Sequence, residues 1–270
     1  MSALERSSHF EFGENWRAYA RTIDERRICA AVAGMEKLFP DGVAHKSFLD
    51  IGSGSGLHSL AAILLGAAPV LAVDIDENSV VTTRQLLTER APDNDWRAEI
   101  RSIFETSPDE FGTFDIVYSW GVLHHTGDMW RAIENAATLV KPGGQLAVAI
   151  YAKTPLDAAW RAEKRLYKSA PRSAQWLLRQ GFVAALIAGK LARGKNPMTL
   201  FRDPIARGMN LSHDLHDWLG GYPYETATVE ELSTGIGRLG FRRTLAFPMP
   251  VAAKGLFGSG CHEVVFSRAN

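Results

Sequence analysis

The sequence predicts an α/β fold built on a seven-stranded, mostly parallel sheet, with a C-terminal antiparallel hairpin and a helical insertion. Three observations carry this. Short apolar runs of strand length alternate with helical patterns of three- and four-residue spacing, the rhythm of parallel strands joined by crossover helices. A glycine-rich turn, Gly52-Ser-Gly-Ser-Gly56, follows the first strand directly and opens a helix. One long basic stretch then interrupts the rhythm, which resumes with a helix and two strands joined by a Pro- and Gly-rich connection.

The elements follow in order. Between Glu14 and Phe39 the apolar residues Trp16, Tyr19, Ile23, Ile28, Val32, Met35 and Phe39 recur at helical spacing, with a break near Asp24–Arg27. Pro40-Asp41-Gly42 ends that helix. Ser47–Ile51 is a short buried strand, and Leu57–Leu65 is a packed helix closed by Gly66. Val70–Asp74 is the second strand and Glu77–Arg90 the second crossover helix. Trp96–Phe104 alternates weakly as a third strand, and Thr113–Ser119 is the fourth. Asp128–Val140 is a helix stopped by Lys141-Pro-Gly-Gly144, and Gln145–Tyr151 is the fifth strand. The stretch 153–221 is helical by composition, broken at Pro171, Pro197 and Pro204, and reads as an insertion over one end of the sheet. Thr228–Leu239 is a helix whose Thr228 and Glu231 fit a capping box, ended by Gly240. Phe241–Phe247 and His262–Ser267 are the last strands.

Composition excludes several classes. Of 270 residues, 46% are hydrophobic and 22% charged, so wholesale disorder and coiled coil are excluded. The longest apolar run, Phe182–Gly189, is far short of the ~20 residues a membrane span needs. Two cysteines, Cys29 and Cys261, cannot build a disulfide framework, and MSALERSSHFEFGENW lacks the apolar core of a secretion signal. Both favour a cytoplasmic location. The net charge is zero, but residues 153–202 hold eleven basic residues against Asp157 and Glu163, a balance of +9 offset by an acidic remainder.

The glycine turn carries the first chemistry. A dinucleotide fingerprint needs its third glycine three residues after the second, and that position is Leu57. Asp50, inside the turn, would repel a pyrophosphate and suit a cationic ligand. Asp74, 22 residues after Gly52, ends the second strand, where a carboxylate can accept both ribose hydroxyls. The implied ligand is a nucleoside carrying positive charge.

Four ordered segments then resemble the class I S-adenosylmethionine-dependent methyltransferases, in their UbiE/UbiG-like small-molecule branch. They are Asp50–Gly56, Asp74, Phe114–Ser119 followed by Gly121-Val-Leu-His-His125, and Leu139–Gly144, together spanning roughly residues 47–151. The resemblance implies a Rossmann-like sheet and S-adenosyl-L-methionine as cofactor, with S-adenosyl-L-homocysteine as product. It implies that Gly52, Ser53, Gly54 and Gly56 line the cofactor, with Asp50 near its amino group. Asp74 would hold the ribose, Ile75 would pack on adenine, and Ser119 and Trp120 would sit at the methionine end. Ser102-Ile103 stands where the family often has Asp-Ala, with Glu105 a rival for the adenine contact. The implied organisation is one domain over 1–270: a helical cover (1–46), a cofactor-binding half (47–152), a basic helical lid (153–221), and a last helix with its hairpin (222–270).

The acceptor side is less determined. A base is needed only where the acceptor keeps its proton, as an alcohol does. His124 and His125 follow the fourth strand at the ligand-binding edge, and Tyr222 or Tyr224 of the turn-rich 220–225 segment can face the acceptor. His213 and His216 share a helical face, but no third metal ligand is evident, so the segment Leu211–Trp218 reads instead as a lid lining the acceptor pocket. Trp16, Tyr19 and Cys261-His262 are expected mainly as packing. The expected acceptor is a small molecule methylated on oxygen, with nitrogen or sulfur next. The basic insertion admits an anionic substrate or an anionic membrane surface with a lipid or quinone acceptor. RNA is less favoured, because no aromatics interleave the charges as in a recognised module. A non-enzymatic alternative is an S-adenosylmethionine-binding partner subunit.

Overall fold

A computed structural model describes residues 16–17, 19–20, 22–202, 211–250, 255–256 and 258–270, with side chains left aside at 201–202 and 211–214. Glu14, Pro204 and the side chain of His213 lie outside the described residues. Seven strands form one sheet: β1 (Phe48–Ile51), β2 (Val70–Asp74), β3 (Trp96–Ile100), β4 (Phe114–Trp120), β5 (Val140–Tyr151), β6 (Phe241–Phe247) and β7 (Cys261–Arg268). Their order is β3-β2-β1-β4-β5-β7-β6. The first five pair in parallel, while β7 runs antiparallel to both β5 and β6. The order reverses between β1 and β4, which opens a crevice at the carboxyl ends of those strands.

Strand alternation divides the core between the two faces of the sheet. Phe48, Val70, Ile116 and Tyr118 face α1 (Glu25–Leu38), α2 (Leu57–Leu64) and α3 (Glu77–Arg90). Leu49, Leu71, Val117 and Val148 face α4 (Met129–Thr138) and a later helix, Val229–Gly237. Asp24 caps α1 by accepting from the Arg27 N–H, so the break in the N-terminal pattern falls on residues 22–24. The capping box of Thr228 and Glu231 is formed in both directions.

Two boundaries differ from the sequence expectation. β3 stops at Ile100, and residues 103–105 form a 3₁₀ turn capped by Ser102. β5 begins at Val140 and runs through Lys141–Gly144 instead of starting after it. Its pairing with β4 jumps from Phe114↔Val140 to Ile116↔Gln145, so those residues form a bulge within the strand.

The insertion folds as α5 (Asp157–Ser169), α6 (Arg172–Leu191) and α7 (Leu211–Gly220), followed by α8 (Val229–Gly237). Its centre is aromatic: Trp218 lies 4.5 Å from Trp160 and 5.4 Å from Phe182, ring centre to ring centre. Lys164 is buried beside them, its Nζ 3.9 Å above the Trp218 ring and donating to the Trp218 carbonyl. Burial pushes this ammonium well below the ordinary lysine range, opposed by the neighbouring Glu163. On the alkaline side, up to about pH 10, the unfolded chain therefore holds the proton that the folded chain has released, and stability should rise with pH. Lys164→Met keeps the stem and removes the charge. Its thermal midpoint should rise less across that window than that of the parent, and parallel curves would assign the dependence to other groups.

Candidate active site

The turn after β1 holds three glycines at positive φ, Gly52, Gly54 and Gly56, and the first and last also meet close neighbours. A Cβ on Gly52 (φ 78°) would lie 2.3 Å from a Val122 methyl. A Cβ on Gly56 (φ 79°) would lie 2.9 Å from the Thr83 Cα, so this glycine lets α2 start hard against α3. The turn is tied down by Gly52 and Ser53 N–H groups donating to the Val73 carbonyl, at 2.7 and 3.1 Å. Gly56→Ala should lower unfolding stability by about 2 kcal/mol, combining overpacking with a strained φ. A denaturant midpoint equal to the parent's would show that α3 yields at no cost.

Asp74 closes the turn from the end of β2. Its Oδ2 accepts the Gly54 N–H at 3.0 Å and its Oδ1 accepts the Asp76 N–H at 2.9 Å. Burial pushes its carboxyl up to about 6, with these two donors pulling the other way. Each oxygen keeps a second lone pair for a hydroxyl donor.

These groups line one end of a cavity of about 550 Å³. Along the carboxyl edge of the sheet, Ile75 follows β2 beside Asp74, Ser102, Ile103 and Phe104 follow the neighbouring β3, and Trp120 ends β4 on the other side of β1. The carboxylates in the wall are Asp74, Asp76, Glu77 and Asp217, against Arg101 as the guanidinium. Such a wall suits a ligand with positive charge. The far end is lined by His125, Thr126, Tyr151, Trp218 and Cys261.

His125 ends a 3₁₀ turn after β4, and its Nδ1 is 2.7 Å from the Pro223 carbonyl oxygen. A carbonyl only accepts, so Nδ1 carries the proton and the basic lone pair of the neutral ring sits on Nε2. Gly221 abuts the ring so closely that a Cβ there would lie 2.6 Å from Cε1. Tyr151 meets the ring edge-on at 5.4 Å. The imidazole is thus held in one tautomer and one orientation.

Of the residues expected from sequence, Gly52, Ser53, Gly54, Asp74, Ile75, Ser102, Ile103, Trp120 and His125 share this wall. Asp50, Gly56, Ser119, His124 and Tyr222 are not part of it. Asp50 lies behind the turn, 2% exposed, accepting from Ser59 Oγ at 2.6 Å, and burial pushes its carboxyl up to about 7. Ser119 donates to the Ile51 carbonyl at 3.1 Å and fastens β4 to β1. His124 is fully buried, its ring 4.1 Å from Tyr151. Tyr222 is half-buried, and Tyr224 is buried against Tyr151 at 5.4 Å. Glu105 lies off the wall as well.

Trp16 and Tyr19, expected as packing, do line the cavity, as does Cys261. His58 and Tyr151 are wall residues that sequence reasoning did not select, whereas Asp217 and Trp218 belong to the 211–218 segment expected to line the acceptor pocket. Tyr151 ends β5 at the ligand-binding edge, a signal that was available. His216 Nδ1 is 2.8 Å from the Tyr167 hydroxyl, and no cluster of three possible metal ligands occurs among the described residues.

Residues 49–146 match a family model described as a methyltransferase domain. Over 166 residues the chain is 30% identical to a 27-O-demethylrifamycin SV methyltransferase of Amycolatopsis mediterranei, covering 56% of this chain and 57% of that protein. Over 114 residues it is 34% identical to a ubiquinone biosynthesis O-methyltransferase of Azotobacter vinelandii, covering 42% and 47%. The chain thus spans about half the length of the curated relatives it matches. Among solved structures, the magnesium protoporphyrin IX methyltransferase of Synechocystis PCC 6803, with bound S-adenosylhomocysteine, superposes with a TM-score of 0.53 at 16% identity, covering 90% of this chain and 82% of that one. That likeness concerns the fold.

Proposed function

We propose that this chain, whose residues 49–146 match a methyltransferase-domain family model, is a class I S-adenosylmethionine-dependent methyltransferase that transfers a methyl group to an oxygen of a small-molecule acceptor. One observation carries the proposal: a single cavity joins the glycine turn and Asp74 at one end to an oriented imidazole, His125, at the other. When bound, S-adenosyl-L-methionine supplies an already electrophilic methyl group, so the protein has mainly to position and deprotonate.

The residues present fit that cofactor. The Asp74 carboxylate faces the cavity with acceptor capacity left for ribose hydroxyls, and the Gly52–Ser55 backbone forms the wall where the amino acid portion would lie. Ile75, Ile103 and Phe104 offer an apolar slot for a purine, with Ser102 beside it. At the other end Tyr151 and Trp218 bound a space for a flat or cyclic acceptor. His125 Nε2 would take the acceptor hydroxyl proton while Pro223 stabilises the charged ring through Nδ1.

The test uses methyl-labelled S-adenosylmethionine with an extract of the source cells, separated into low-mass, lipid, RNA and protein pools. Label in an alkali-stable low-mass product supports the proposal. Label in RNA or protein alone, or calorimetric binding of NADH but not S-adenosylhomocysteine, overturns it.

A further inference from the structure

The outer face of α6 is apolar and is not covered by the described residues. The helix packs inward through Phe182 on Trp160 and Trp218. Its outward side runs through Trp176, Leu177, Gln180, Ala184, Ala188 and Leu191 without one charged residue. Trp176 is 54% exposed and Leu177 62%, and no residue of the helix is buried. A solvated helix of a globular protein places polar residues on that side. Leu166 of α5, 67% exposed, and Met198 just beyond α6 add to the apolar surface.

Cations flank the two ends of this helix. Arg165 and Arg172 are exposed just before and at the start of the helix, and Arg193 and Lys195 just beyond its end. Across 153–202 Asp157 and Glu163 are the acids, and neither is on α6. Twenty residues give a helix about 30 Å long. No helix among the described residues is long and apolar enough to cross a membrane. An apolar stripe ended by exposed cations is what a helix lying in a lipid interface presents.

We propose that α6 docks the protein on an anionic bilayer. Trp176, Leu177 and Leu191 enter the boundary between headgroups and acyl chains, and Arg165, Arg172, Arg193 and Lys195 meet lipid phosphates. Charge complementarity selects this occupant. A second copy would bring the same positive rim against itself, and a nucleic acid would take the cations but leave the apolar stripe in water. The proposal concerns where the protein works and is independent of the methyl-transfer assignment.

Sedimentation of the full chain with vesicles tests it. Phosphatidylcholine vesicles with about one-third phosphatidylglycerol should bind at low salt, release protein as salt shortens the screening length, and exceed pure phosphatidylcholine by at least about tenfold. Trp176→Glu/Leu177→Glu, and separately Leu191→Glu, should each weaken partitioning by about tenfold or more with an unchanged thermal midpoint, because these side chains are exposed. No binding at low salt, or equal binding by the variants, overturns the proposal. A parent dimer in analytical ultracentrifugation that the same variants dissociate would also overturn it, by giving the face to a second copy.

Discussion

Replacing His125 with alanine is expected to lower methyl transfer about 100- to 10,000-fold for a hydroxyl acceptor, the range ascribed to a positioned general base. S-adenosylhomocysteine affinity should stay within about twofold, because His125 follows β4 and packs on Tyr151 of β5, on the other side of β1 from Asp74 at the end of β2. The expectation rests on geometry. Pro223 fixes the protonated nitrogen, and Gly221 packs against the Cε1–Nε2 edge, so the ring is held in one orientation. Turnover with the labelled acceptor and calorimetry with S-adenosylhomocysteine separate the two roles. A fall in both would make His125 a structural element of the wall. Unchanged turnover would make the reaction one of positioning alone, as for an acceptor already ionised at neutral pH.

Asp74→Ala is expected to weaken S-adenosylhomocysteine binding by about 2–3 kcal/mol, roughly 30- to 150-fold, through loss of charge-assisted bonds to two hydroxyls. Asp74 also holds the Gly54 N–H, so the turn loses an anchor in the same variant. The pH dependence isolates the carboxylate. Its pKa is raised to about 6 in the free protein, so affinity should fall as pH drops through that value. Over about pH 4 to 6 the folded chain binds more protons at Asp74 than the unfolded chain, so the unliganded protein should gain stability from this group as pH falls. Affinity and stability then move in opposite directions. Asp74→Asn should flatten both curves in calorimetry and thermal unfolding, and an unflattened affinity curve would remove Asp74 from the ligand contact.

Much of this architecture is readable from local pattern. Runs such as Val70–Asp74 bury both faces and can only be inner parallel strands. The positions of Gly52 and Asp74 follow from where their strands end. Asp50 shows what the motif alone obscures. In β1 it shares a face with Phe48 by strand alternation, and that face is covered by α2, where Ser59 meets it. The bulge at Lys141–Gly144 was hidden because proline and glycines read locally as a turn, while pairing with β4 keeps them in the strand. The 211–218 segment was expected to line the acceptor pocket, and Asp217 and Trp218 do so because α5 and α6 fold back and deliver α7 to the crevice, a tertiary event that local pattern does not resolve residue by residue. His58 is one residue past the start of α2, where composition did not distinguish it from packing.

The strand order has a consequence for synthesis. β7 is made after β6 yet sits between β5 and β6, and its Glu263 accepts from Trp120 Nε1 at 2.9 Å and from Lys37 Nζ at 2.5 Å. A nascent chain that has emerged as far as β6 already owns the glycine turn, Asp74 and His125. It still has an open strand edge on β5, no Cys261 in the wall, and neither the Trp120 nor the Lys37 anchor. Ribosome-bound intermediates of that length should be the stage most dependent on chaperones. Tight retention of ligand should begin only once residues 261–268 have left the exit tunnel.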